Sequence, residues 1–114
     1  MRILTAELRA RLLANGRRFA EDAGFDPPPV VKLFTPDAAA TWLLASLDPD
    51  DPDIAFGLCD LGLGFPELGT VSLAELESVS GVLGLAVERD LFFAADRPIS
   101  RYADEAARLG AIRA

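Results

Sequence analysis

Ile54–Leu73, IAFGLCDLGLGFPELGTVSL, is the stretch whose reading decides the fold. Its first eight residues, Ile54-Ala55-Phe56-Gly57-Leu58-Cys59-Asp60-Leu61, are apolar on both alternating sets of positions, the pattern of a strand with neighbours on either side. Gly62-Leu63-Gly64-Phe65-Pro66-Glu67 then reads as a hairpin loop. Its glycines do not make a nucleotide loop: the third glycine of a G-x-G-x-x-G motif falls on Glu67, where a carboxylate would repel a pyrophosphate. The stretch closes on Val71-Ser72-Leu73-Ala74-Glu75-Leu76, where a short strand passes into a helix. Ser72 and Glu75 have the spacing of a capping box, with Val71 and Leu76 where a hydrophobic staple puts its contacts. That helix is expected to run from Leu73 to about Ser80 and to end at Gly81.

Upstream, Asp48-Pro49-Asp50-Asp51-Pro52-Asp53 reads as a turn, proline presetting one dihedral and the aspartates accepting local backbone hydrogen bonds. Before it, Thr41–Leu47 is β-branched, aromatic and apolar, a strand candidate, although Ala38-Ala39-Ala40 leaves a helix through this stretch as the alternative. Val30–Thr35 reads as the first strand and Pro27-Pro28-Pro29 as a stiff connector. Leu4, Leu8, Leu12 and Leu13 recur at helical spacing behind Thr5 as N-cap. Asn15-Gly16 is a natural helix stop, and Arg17-Arg18-Phe19 extends the helix only at a cost of about 1 kcal/mol for the glycine. Arg2, Arg9, Arg11, Arg17 and Arg18 make this end basic, the pattern of a solvated helix face, with phosphate binding as the alternative.

Downstream, Val87–Phe93 alternates as a last strand, with Val87, Leu91 and Phe93 on one side and a charged Glu88-Arg89-Asp90 centre suited to an edge. Ser100 is the expected cap of a final helix ending at Gly110, with Ile99, Tyr102, Ala103, Ala106 and Leu109 as its apolar stripe. Short connections favour antiparallel neighbours. The expected fold is α+β: an antiparallel β-meander of about four to five strands with flanking N- and C-terminal helices and a short capped helix before the last strand. It fills residues 1–114 as a single globular domain.

The 114 residues are 51% hydrophobic and 25% charged, a globular rather than a disordered composition. The lone cysteine, Cys59, fits a reducing cytoplasm, and Glu7, Arg9 and Arg11 interrupt any signal-peptide core. No apolar run approaches the roughly 18 residues of a membrane span, so no membrane role is expected. The net charge of −7 is unevenly placed: ten acidic residues and no basic one lie between Lys32 and Arg89. Direct nucleic-acid binding there is disfavoured, because it draws on Lys and Arg neutralising phosphates. The candidate acidic interaction surface is Asp48, Asp50, Asp51, Asp53, Glu67, Glu75 and Glu77, which would suit a basic protein partner, a nucleic-acid-binding protein among them.

Catalytic chemistry starts poorly. There is no histidine, which removes the usual neutral-pH acid–base group and the commonest metal ligand. Cys59 has no basic neighbour in sequence to activate it. A calcium loop counted from Asp48 would need glycine sixth and glutamate twelfth, where Asp53 and Cys59 stand. Neither a catalytic residue nor a metal or cofactor site is therefore expected.

The runs LFTPDAAATWLLASLDPDDPDIAFGLCDLGLGFPELGTVSLAELESV and GLAVERDLFF resemble the family catalogued as domain of unknown function 2958, from Leu4 through Ala106. The resemblance implies a small bacterial protein, of a kind often borne on plasmids and phages near conjugation and antirestriction genes, with no established activity to carry over. The family usually has His where Phe92 stands, Pro where Ala86 stands and an aromatic where Thr70 stands. Three functions follow as expectations. The first is a non-enzymatic interaction module of a mobile element. The second is an acidic inhibitor imitating DNA, as antirestriction or anti-CRISPR proteins can. The third is a metal-dependent or carboxylate enzyme using Asp48–Asp53 or Glu67.

Overall fold

A computed structural model describes residues 3–114; Arg2 lies outside the described residues. Thr5 opens helix α1 (Ala6–Glu21), its hydroxyl accepting from the Leu8 N–H at 3.1 Å. The helix does not stop at Asn15-Gly16. The Asn15 amide donates to the Ala45 carbonyl at 2.8 Å, and a Cβ on Gly16 would stand 1.8 Å from the Leu47 carbonyl oxygen. Gly16 is thus a point of close approach inside the helix rather than its end.

The sheet consists of β1 (Val31–Phe34), β2 (Thr41–Asp48), β3 (Asp51–Asp60), β4 (Glu67–Ser72) and β5 (Glu88–Arg89), in the order β4-β3-β2-β1-β5. Every pairing is antiparallel. The first four strands form the expected meander, and β5 joins the free edge of β1. The Ala38–Ala40 run starts no helix, because Thr41–Asp48 pairs with a strand on each side. Between β2 and β3 the turn is narrower than Asp48–Asp53: Asp48 already pairs with Asp51, leaving Pro49-Asp50 as a two-residue connection.

A register shift between Leu44 and Ser46 makes Ala45 an extra residue in β2. The bulge lets Leu44 and Leu47 reach one core while Leu43 and Ala45 reach the other. On the first face, Leu12 of α1 packs with Leu33, Trp42, Leu44, Leu47 and Ala55. Helix α2 (Leu73–Ser78) adds Leu73 and Leu76 to that core. On the second face, Ile99, Tyr102 and Ala106 of α3 (Ile99–Leu109) cover Leu43, Ala45 and Leu58. The result is helix, sheet, helix: three layers with two cores.

Several boundaries differ from the sequence reading. Helix α2 ends at Ser78, Val79 being its C-cap, so Gly81 does not terminate it. The last strand shrinks from Val87–Phe93 to two residues. Asp90 still donates its N–H to the Lys32 carbonyl, but its carboxylate then takes the Phe92 N–H at 2.9 Å and turns the chain away. Val87 is buried in the first core, Phe93 packs on the second and Leu91 is 73% exposed, so the three share no face. Helix α3 starts two residues earlier than a Ser100 cap implies, with Pro98 at the N-cap position. Ser100 does not cap it with its own hydroxyl; instead Asp26 accepts both the Ser100 N–H at 3.1 Å and the Ser100 hydroxyl. The C-terminal stop is as expected, Gly110 taking the left-handed conformation at φ 76°. Leu109, placed in the apolar stripe by spacing, is exposed.

Candidate interaction surfaces

The seven acidic candidates do not share one surface. Asp48, Asp50 and Asp51 are exposed at the Pro49-Asp50 turn, and Glu75 and Glu77 are exposed on α2. Ser72, the cap of α2, pairs with Ile54, so α2 starts at the same end of the sheet as that turn. Glu67 pairs with Cys59, five register steps away, or about 17 Å at roughly 3.4 Å per residue. It belongs to the opposite end.

Asp53 is committed internally. Its carboxylate accepts the Ser72 hydroxyl at 2.5 Å and the Ala74 N–H at 2.9 Å. Ser72 accepts from the Glu75 N–H at 3.2 Å, so half of the capping box stands. Among the described hydrogen bonds Glu75 offers the cap only its backbone N–H; the carboxylate there belongs to Asp53. The Ser72 hydroxyl first, then the Ala74 N–H, hold the Asp53 carboxyl below its ordinary range; burial opposes them, and the nearby Arg9 charge adds a lesser lowering effect. Asp60 is buried, at 3% exposure, and accepts the Gly62 N–H at 2.8 Å and the Ile112 N–H at 3.0 Å.

Among the described residues no three His, Cys, Asp or Glu side chains are grouped closely enough to hold a metal ion. Asp48 spends one carboxylate oxygen on the Asp50 N–H at 2.9 Å, closing the turn on itself. Burial pushes the Cys59 thiol above its ordinary range, and Glu67 across the strand pair adds to the effect. Such a thiol is a poor nucleophile at neutral pH.

At the end of the sheet where Glu67 lies, the structure shows a surface that the acidic pattern did not point to. Leu63 and Phe65 in the β3–β4 loop are 74% and 85% exposed, with Leu61 beside them. Val82 and Leu83, in the segment between α2 and β5, are 89% and 77% exposed, with Leu85 less so. Both segments rest on the β1–β2 turn. A Cβ on Gly62 would stand 2.8 Å from the Ala39 side chain. The Asp37 carboxylate accepts the Leu83 N–H at 2.6 Å, while Gly81 and Gly84 close the turn through Gly81 N–H to Leu85 O and Gly84 N–H to Gly81 O. The signal was available in sequence: large apolar residues set between loop glycines belong to no periodic face and have no core to enter.

A three-layer α+β protein with apolar loops at one end of the sheet and an acidic turn at the other is the class these features define. The chain belongs to the family described as protein of unknown function (DUF2958), which matches it over residues 3–113. No curated protein and no solved structure matches it. No helix among the described residues is long and apolar enough to cross a membrane.

Proposed function

We propose that this chain is a small non-enzymatic protein-interaction module of a bacterial mobile element. The observation that supports this most is the pair of exposed apolar loops, Leu61–Phe65 and Val82–Leu85, each held against the β1–β2 turn. Exposed apolar side chains in contiguous groups mark interaction sites, because leaving them in water is unfavourable. The hydrogen bonds from Asp37 and the close contact at Gly62 hold the loops in place beforehand, so less entropy is lost on binding. The mobile-element setting rests on the family resemblance.

The test is affinity capture of the partner from the native host with the wild-type chain and with Leu63→Asp, Phe65→Asp and Leu83→Asp combined. These side chains lie in solvent, so the variant is expected to keep its circular dichroism spectrum and thermal midpoint while losing the partner. Equal capture by both proteins would sink the reading.

The acidic DNA mimic is a second reading, supported by Asp48, Asp50, Asp51, Glu75 and Glu77 standing exposed toward one end of the sheet. Its inhibitory target would be a basic nucleic-acid-binding protein. Neutralising those five residues should then abolish inhibition and flatten its salt dependence. The internal use of Asp53 and the remote position of Glu67 reduce the surface available to it.

A further inference from the structure

The second face of the sheet is not covered along its whole length. Helix α3 reaches Leu43, Ala45 and Leu58, but the strip nearer the Pro49-Asp50 turn is left to the last turns of α1. Between them lies a groove of about 800 Å³, within the size range of ligand pockets. It exists because α1 passes the β2 backbone at Gly16 and continues, bringing Phe19 to the far side of the sheet. There the Phe19 ring meets Phe56 edge to face at 5.7 Å and is backed by Phe25 at 5.2 Å. Phe19, Phe56 and Ile54 make an apolar floor that is already packed before anything binds.

The groove's charge has a sign. Glu21, Asp48 and Asp50 line it and are exposed, against one lining cation, Arg17. The neighbouring Arg18 is turned to the Phe25 ring, 4.5 Å from its centroid. The C-terminal end of α1 adds the partial negative charge of its free carbonyls. An anionic ligand would meet three carboxylates. An uncharged apolar one would use the floor and leave the rim unmatched. A ligand complementary to both carries an apolar side chain beside positive charge.

We infer that the groove between the end of α1 and the β2–β3 hairpin binds a basic peptide segment of a partner protein, anchored by a large apolar side chain on Phe19, Ile54 and Phe56. Lysine or arginine flanking that anchor meets Glu21, Asp48 and Asp50 at the mouth. The groove lies at the other end of the sheet from the apolar loops, so it stands or falls apart from the module proposed on them; with the acidic-mimic reading it shares Asp48 and Asp50 but not the Phe19, Ile54 and Phe56 floor.

The experiment is a nuclear magnetic resonance titration of the full chain with three amidated hexapeptides: Lys-Lys-Leu-Phe-Lys-Lys, the same with serines at the centre, and the same with glutamates as flanks. The first is expected to shift the Phe19, Ile54, Phe56 and Thr70 amides saturably. The serine-centred peptide should bind at least about tenfold more weakly, having lost its apolar anchor. The glutamate-flanked one should not bind. Glu21→Gln, Asp48→Asn and Asp50→Asn together should weaken the first peptide at least about fivefold and flatten its salt dependence; asparagine at 48 can still close the turn. Ala20→Trp, at an exposed lining position, should fill the groove and block binding. Equal binding of the serine-centred or glutamate-flanked peptide, shifts confined to residues 61–65 and 82–85, or unchanged affinity in both variants would each overturn the inference. Equally tight binding of free hexylammonium at the same amides would overturn the assignment to a peptide.

Discussion

Asp53 on β3 accepts the Ser72 hydroxyl at 2.5 Å, so a strand carboxylate holds the residue that caps the next helix. Ser72 in turn accepts from the Glu75 N–H, and the three groups form one short relay that fixes α2 to the sheet. Ser72→Ala removes the cap acceptor and the donor to Asp53, and should cost about 1 kcal/mol in denaturant unfolding. Because the Asp53 carboxyl sits below its ordinary value when folded, the unfolded chain takes up its proton first as pH falls. The stability this group gives is therefore complete above about pH 4 and lost below it. The thermal midpoint of Asp53→Asn should lie below wild type at pH 7, and the two should converge towards pH 3. Parallel curves across that range would refute the account.

Gly16 gives a prediction whose sign is opposite to that of helix propensity. On propensity alone, glycine to alanine inside a helix stabilises by about 1 kcal/mol. Here the new methyl would lie 1.8 Å from the Leu47 carbonyl oxygen and 3.3 Å from the Pro49 ring. Either α1 or the β2 backbone has to move, and overpacking of this kind typically costs about 1–3 kcal/mol. Gly16→Ala should lower the thermal midpoint, and Ala14→Gly, at an exposed position of α1, should lower it by helix propensity alone. A stabilised Gly16→Ala would show that the approach is not tight.

These two cases show what was legible in the sequence and what was not. The meander, the Ser72 cap and the Gly110 stop rest on local patterns: alternation, a hydroxyl three residues before an N–H, a glycine free to turn left-handed. They could be read from neighbours in the chain. Gly16, Asp26 and Asp53 act on residues far away in sequence, and the periodicity that marks a helix says nothing of what the helix crosses. The last strand is shorter than its alternation for the same reason. Its alternation from Val87 to Phe93 is real, but β1 has only four residues to offer as a partner. Of the acidic candidates, Asp48, Asp50 and Asp51 at the hairpin turn are exposed, while the Asp53 carboxylate is occupied by N–H and O–H donors that no charge count registers; Asp60, outside the candidate set, is occupied in the same way by two N–H donors.

The Asp37 contact makes the Val82–Leu85 loop testable without its partner. Asp37 accepts the Leu83 N–H at 2.6 Å, and a Cβ on Gly81 would stand 1.7 Å from the other carboxylate oxygen. Asp37→Ala should therefore release the loop with little effect on the two cores, raising hydrogen exchange at the Leu83 and Leu85 amides while Leu43 and Leu58 stay protected. Gly81→Ala should do the same by pushing the carboxylate away. If the loop is the binding element, both variants should bind the captured partner more weakly through a faster dissociation rate. Unchanged exchange at Leu83 in both variants would show that the loop is held by something else.

Asp60 connects the apolar loop to the C-terminal segment. One of its oxygens takes the Gly62 N–H at 2.8 Å and the other the Ile112 N–H at 3.0 Å, and Gly110 approaches the same loop near the Gly64 carbonyl. Asp60→Ala leaves two donors without their acceptor. Each unsatisfied buried donor costs about 1–3 kcal/mol, and these are partly buried, so a total of about 2 kcal/mol is expected. Asp60→Asn keeps an oxygen for Gly62 but turns an NH₂ toward Ile112, so its stability should fall between alanine and wild type. The share belonging to Ile112 can be isolated by removing residues 111–114. In that background Asp60→Ala should cost less than in the full chain, the difference being the coupling between the two sites. Additive effects, or an asparagine variant as stable as wild type, would show that Asp60 serves the Gly62 turn alone and that the C-terminal segment packs without it.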